Sequence, residues 1–301
     1  MQTKRPGWLA VVALLAGNAA LSLGALFVRL ADTGPVSAAF WRLFLALPLM
    51  MILAWIFERR ANKIESRSLL WVALASGAFA VDLGIWHIGI EMTRLGNATL
   101  FGNAASLVLM FWGFVIARCL PDRYSWLAIA LALAGGGLLM GRSLMISTET
   151  LLGDVLSLAA GLIYAVYLLL LKSARTGIGT WSMLALVSIF ACPVLFVFAT
   201  ALDEAFWPSD WAPLIGLSLV SQLIGQGLLI YAMRHFSSLV IGLALLTQPA
   251  VASLSGVWFF GEMLGPLDIL GIVLVGCAMA LATARPTQLA TETHPLTTEK
   301  T

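Results

Sequence analysis

The chain has 301 residues, of which 60% are hydrophobic and 11% charged, against about 45–50% and about 25% in a soluble domain. There is too little polar sequence to coat a soluble core, so water is not its main solvent. A formal net charge of +2 gives a nucleic-acid partner no support, and Cys119, Cys192 and Cys277 lie too far apart for a metal-ligand spacing or a disulfide framework.

In chain order the apolar stretches are 8–30, 36–57, 68–90, 95–117 and 124–141, then 152–171, 180–202, 211–233, 239–260 and 267–284. Each is near the roughly 17–25 residues that carry a helix across a hydrocarbon core about 30 Å thick, at about 1.5 Å per residue. The predicted fold class is therefore all-α, a polytopic membrane protein with ten transmembrane helices. Lys4 and Arg5 before the first stretch imitate a signal peptide. That stretch is too long for a signal h-region, however, and has no small-residue cleavage site before Arg29.

With the amino terminus inside, thirteen of the 17 Lys and Arg fall on cytoplasmic ends and loops, and only Arg29, Arg94 and Arg142 fall outside. The positive-inside rule thus predicts a multi-pass protein of the cell (inner) membrane with both termini cytoplasmic. The Thr-rich tail 285–301 is expected to be disordered.

Polar side chains within the spans are few, and several share a helix face. Asn18 and Ser22 are four apart, as are Gln222 and Gln226, and Asp82 and Trp86 with His87 adjacent. Thr99, Asn103 and Ser106 follow one stripe, Tyr164 and Tyr167 are three apart, and Gln248 precedes Pro249. On one reading these faces converge on a cavity in which amides and hydroxyls meet a substrate's polar ends, while Trp86, Phe101, Tyr164 and Tyr167 enclose its apolar part. On the other they make hydrogen bonds between helices, and the aromatic rings face lipid. Trp8, Trp55, Trp71, Trp126, Trp207 and Trp211 are assigned to interface belts.

Arg42 and Asp82 are charges inside spans, where each costs about 2.5–3.5 kcal/mol at a helix centre. An ion pair that holds the fold leads over a substrate or proton role, and His87 has a pKa range suited to a proton step. The rows Ser76, Ala80, Gly84 and Ser157, Gly161, Ala165 mark close helix packing. Pro48, Pro193 and Pro249 predict kinks.

The chain divides near 141–152 into two halves of five predicted helices. Five is odd, so the second half starts from the opposite side of the membrane, an inverted repeat if the halves are homologous. The run 152–167, with Gly153-Asp154 and Tyr164, is one family-like stretch; Tyr231-Ala232-Met233-Arg234, Gln248-Pro249, Gly261-Glu262 and Gly271 form another. With Ala39-Phe40-Trp41-Arg42-Leu43 and Ala46, these make the chain resemble the EamA-type branch of the drug/metabolite transporter superfamily from Trp8 to Ala284. The first half departs from the pattern, with Ala104 near the place of Pro249 and Pro121-Asp122-Arg123 in place of Glu262.

The resemblance implies a carrier or exporter of small metabolites, built from repeats at 8–141 and 152–284 around a central cavity. Within the family the chain looks most like amino-acid exporters, including the aromatic amino acid exporters of the YddG type. It implies a small-molecule substrate, a lipid bilayer around a monomer or homodimer, no cofactor and no ATPase subunit. No phosphate loop, metal-ligand cluster or activated nucleophile points to an enzyme. A channel-like facilitator, an exporter of drugs or other metabolites, a receptor and an intramembrane enzyme stay open as alternatives. Few fixed charges in the predicted lining favour a neutral or zwitterionic solute over a sugar phosphate, which would need clustered Arg or Lys.

Overall fold

The computed structural model describes residues 7–58, 65–93, 95–117, 122–141, 148–174, 178–251, 254 and 264–284. The tail 285–301, most of the amino-terminal segment, Cys119, Pro121, Gly261-Glu262 and the loop cations Arg59, Arg60, Lys63, Arg94, Arg118, Arg142 and Arg175 lie outside the described residues.

Every regular element among the described residues is helical. The first half holds α1 (Trp8–Ser22), α2 (Gly24–Leu30), α3 (Pro35–Phe57), α4 (Ser66–Met92), α5 (Leu95–Gly102), α6 (Ala104–Ala117) and α7 (Arg123–Gly141). The second holds α8 (Leu151–Ala174), α9 (Thr180–Ala201), α10 (Ala212–Gly216), a π-helical stretch (Leu217–Gln226), α11 (Gly227–Ala232), α12 (Ser238–Leu245) and α13 (Pro266–Ala284). Among the described residues seven helices are long and apolar enough to cross a membrane, and Arg123–Leu139 and Ser238–Val251 are shorter apolar helices.

The apolar pattern of the sequence therefore becomes helices, with local departures that include a turn at Leu23 between α1 and α2 and one at Leu246-Thr247 after α12. The predicted span 95–117 is broken at Asn103 into α5 and α6. The Asn103 amide donates to the Thr99 carbonyl at 2.8 Å and the Ser106 hydroxyl donates to the Asn103 carbonyl at 2.6 Å. Polar side chains that bond nearby backbone in this way compete with the helical ladder. The predicted span 211–233 is π-helical over Leu217–Gln226, and such departures from α geometry are frequent at functional sites.

Buried and exposed faces are both apolar, as a lipid solvent requires. Leu14, Leu43, Met50, Phe79, Tyr167, Leu168, Met183 and Leu195 are fully buried, while Ile52, Trp55, Phe111, Val115, Val197 and Val273 are mostly exposed. Trp8 and Trp126 are likewise exposed, but Trp71 packs against the core. Trp207 and Trp211 are exposed as well, and they cluster with Trp41 and Phe206, where the Trp41 indole N–H donates to the Phe206 carbonyl at 2.7 Å.

The main packing runs between the two halves: α3 on α9, α4 on α8, α6 on α12, α7 on α13, and α1 on the π-helical stretch and α11. Second meets second, fourth meets fourth and fifth meets fifth, while the first unit of each half meets the third of the other. Gly161 shows how tight the joint is, since a Cβ there would lie 2.5 Å from the Gly102 carbonyl oxygen. Helices approach this closely only where small residues let the backbones touch. Pro48 and Pro193 lie inside α3 and α9, and both helices continue through them.

Candidate functional site

Between the halves lies a cavity of about 70 Å³, walled by α1, α2, α3, α4, α5, α6, α8, the π-helical stretch and α12. It brings together Ser22, Trp86, Asn103, Tyr164, Gln226 and Gln248 of the sequence-predicted site, together with Arg42 and Asp82. Phe79 and Asp82 are three apart and Trp86 four further on, so one face of α4 supplies an apolar ring, a carboxylate and an indole.

Five predicted residues stand behind this wall rather than on it. Asn18 is fully buried; its amide donates to the Ala244 carbonyl and the Thr247 hydroxyl, and its carbonyl accepts from Gln248 Nε2 at 2.9 Å. It thereby orients Gln248, which does line the cavity. Gln222 supports the wall similarly, its Oε1 accepting from Arg42 Nε at 3.1 Å. Tyr167 is buried with its ring stacked on Phe79 at 4.4 Å. His87 is buried with Nδ1 2.9 Å from the Pro35 carbonyl, at the start of α3. Phe101 is half-buried, and its carbonyl lies against Gly161.

Arg42 and Asp82 do not form the fold-holding ion pair that the sequence led us to expect. Both are buried on the cavity wall, at 2% and 6% exposure. Each lies within range of the other's charge, yet among the described residues no hydrogen bond or ion pair joins them. Gln222 takes the guanidinium Nε, and the Asp82 carboxylate accepts no hydrogen bond from a described residue. A guanidinium has five N–H donors in a fixed fork, so those beyond Nε remain for something else. A buried carboxylate without hydrogen bonds is costly unless water or a ligand meets it.

The π-helical stretch adds further unmet polar groups. Gln226 Nε2 donates to the Tyr164 hydroxyl at 3.2 Å, but its Oε1 is buried without a partner. Gln222 Nε2 and the Ser218 and Ser221 hydroxyls are in the same condition. Groups of this kind call for water or a ligand.

Sequence reasoning missed Phe79, Leu83, Gly102 and Gly161 as wall residues. Phe79 could have been found from its spacing to Asp82 and Trp86. Gly102 could not: a Cβ there would lie 2.9 Å from Trp86 Nε1, a constraint that appears only once the indole lies across α5.

The EamA-like transporter family matches residues 8–141 and, separately, 151–284. An uncharacterized transporter of Archaeoglobus fulgidus is 24% identical over 270 residues, covering 87% of this chain and 92% of the relative. The threonine/homoserine exporter RhtA of Escherichia coli is 26% identical over 274 residues, covering 89% of each chain. The uncharacterized transporter YwfM of Bacillus subtilis is 23% identical, covering 84% of this chain and 85% of its own. One protein of known crystal structure superposes with a TM-score of 0.73 at 14% identity, covering 91% of this chain and 97% of that one, a likeness of fold.

Proposed function

The chain belongs to the EamA-like transporter family, membrane transporters rather than enzymes, and from that premise we propose that it exports small amino acids as zwitterions through the cavity between its halves. The observation that carries this reading is the placement of Arg42 and Asp82 on one wall without a bond between them. A zwitterion supplies the two partners they lack. Its carboxylate takes the free guanidinium N–H groups of Arg42, and its ammonium takes Asp82 and the unpartnered Oε1 of Gln226. Trp86, Phe79 and Tyr164 then face the side chain.

The reading draws on the cavity's lining as well. With three rings already on the wall, it favours a short aliphatic or hydroxyl side chain over the aromatic amino acids that the family resemblance suggested. The name of the threonine/homoserine exporter among the relatives points the same way.

In this proposal ten spans form two inverted repeats, at 8–141 and 152–284, with both termini in the cytoplasm and the chain in the cell (inner) membrane. The cavity opens to each side in turn, no cofactor takes part, and the Asn18 and Gln222 amides hold Gln248 and Arg42 in place.

Uptake into proteoliposomes, assayed with a panel of amino acids, nucleosides and sugar phosphates, tests the substrate class. Threonine, homoserine and similar amino acids are expected to be carried with saturation. Transport of sugar phosphates and of no amino acid would overturn the proposal, and flux without saturation would indicate a pore.

A further inference from the structure

Two carboxylates tie α3 to α9 at both ends. Glu58 directly follows α3, and its Oε1 accepts from the Trp181 amide at 2.9 Å while its Oε2 accepts from the Ser182 amide at 2.9 Å and the Ser182 hydroxyl at 2.7 Å. These groups belong to the first turn of α9. At the other end Glu204, just past α9, does the same for α3: its Oε1 accepts from the Val36 amide at 3.1 Å, and its Oε2 from the Ser37 amide at 2.7 Å and the Ser37 hydroxyl at 3.0 Å. Each helix thus has the start of its backbone ladder, where amide donors are unpaired and the dipole is positive, closed by the carboxylate at the end of its neighbour.

The local sequences match this exchange. Gly34 and Gly179 are the two N-cap residues, neither with a side chain to cap its own helix, and each has Ser three positions on. A Cβ on Gly34 would lie 2.5 Å from Glu204, and one on Gly179 would fall on the Glu58 carboxylate. Because Glu58 meets the start of α9 and Glu204 the start of α3, the helices are antiparallel and the clasps lie at opposite ends. The 23 residues of α3 put those ends about 35 Å apart, across the hydrocarbon core. Between them Leu43, Met50, Val187, Ala191 and Leu195 form part of a continuous buried core.

Of this pair only Arg42 touches the cavity; the remaining wall comes from the helices around it. We propose that Glu58 and Glu204 make α3 and α9 a permanently joined pair, the fixed axis about which the halves turn, and that access to the cavity changes among the other helices. A rocking motion that parted α3 from α9 at one face would strip a carboxylate from three donors there. The two clasps with the packed core between them remove that freedom.

The inference rests on the chain's being a transporter and not on its carrying amino acids. Hydrogen exchange of the chain in lipid nanodiscs therefore tests it without a known substrate. The amides of Val36, Ser37, Trp181 and Ser182 are all expected to exchange about ten- to a hundredfold more slowly than those opening α4, whose N-cap Glu65 makes no side-chain cap hydrogen bond. Glu204→Ala should release Val36 and Ser37 alone, and Glu58→Ala should release Trp181 and Ser182 alone. If one end of the wild-type pair exchanges as fast as the start of α4, or if releasing one end protects the other, the clasps are alternating gates and the proposal fails. A second test uses cysteine pairs at 37 with 204 and at 58 with 182, in a chain freed of its native cysteines. Crosslinks formed at both ends should leave transport running, whereas a block by either one that a reductant reverses would overturn the fixed axis.

Discussion

Replacing Asp82 by Asn removes one charge from the cavity wall and leaves the side chain's shape almost unchanged. Asp82 accepts no hydrogen bond from a described residue, so the fold loses no bond, and the desolvation cost of a buried carboxylate disappears. The substrate ammonium loses a hydrogen bond to a charged acceptor, which contributes about 1.5–3 kcal/mol. At about 1.4 kcal/mol per factor of ten, Asp82→Asn should weaken threonine binding about 10- to 150-fold. Yield and melting temperature should stay at or above those of the wild type. Were Asp82 instead one arm of an ion pair holding the helices, removing it would strand Arg42 and cost about 3–5 kcal/mol of stability. Calorimetric titration with threonine, together with a melting curve of the same sample, separates the two cases. Unchanged affinity with a lowered melting temperature would refute the assignment of Asp82 to the substrate.

Other substitutions test the joints around the cavity. Gly161→Val places a side chain against the Gly102 and Phe101 carbonyls, and should cost about 1–3 kcal/mol by overpacking; a melting temperature equal to wild type would show that α8 and α5 can separate freely. Asn18→Ala leaves the Gln248 amide without its acceptor and the buried Ala244 carbonyl and Thr247 hydroxyl without the Asn18 donor, at a cost of about 1–3 kcal/mol for buried polar groups that lose a partner, and should lower both melting temperature and threonine affinity; an effect on neither would remove Asn18 from the supporting frame. Outside the spans, the backbone N–H of Ser209 holds the Asp32 carboxyl below its usual 3.8, against desolvation and with further help from the Asp210 N–H. A lowered folded pKa makes the contact stabilising above 3.8 and loses it as the pH falls through the lower folded value, so exchange of the Ser209 amide, corrected for its intrinsic pH dependence, should show constant protection from neutral pH down to about 4; a loss of protection near neutrality would contradict that assignment.

The apolar spans were legible because membrane helices announce themselves by length and composition, and the described helices overlie them, several running one to three residues past the predicted bounds. Helix rotation was much less legible. In a soluble helix a polar stripe marks the outer face, but lipid is as apolar as the protein core, so nothing in the sequence of α8 said that Tyr164 would line the cavity while Tyr167 would stack on Phe79 behind it. Residues at polar spacing were better guides, and Asp82 with Trp86 came out on one face as the four-residue interval requires. Partnerships across the halves lay beyond reach. That Asn18 would hold Gln248, 230 positions away, or that Gln222 rather than Asp82 would take the Arg42 Nε, depends on how the two halves dock. The break at Asn103 was hidden because the apolar run continues on both sides of it.

The central claim, that Arg42 and Asp82 read the two ends of an amino-acid zwitterion, is tested most directly by counterflow. Labelled threonine is offered to proteoliposomes preloaded with unlabelled threonine, with the wild-type chain, Asp82→Asn and Arg42→Gln reconstituted in parallel. The account predicts a transient, saturable accumulation of label with the wild type and little or none with either variant at the same threonine concentration. Equal accumulation in all three, with each variant folded and inserted, would contradict it.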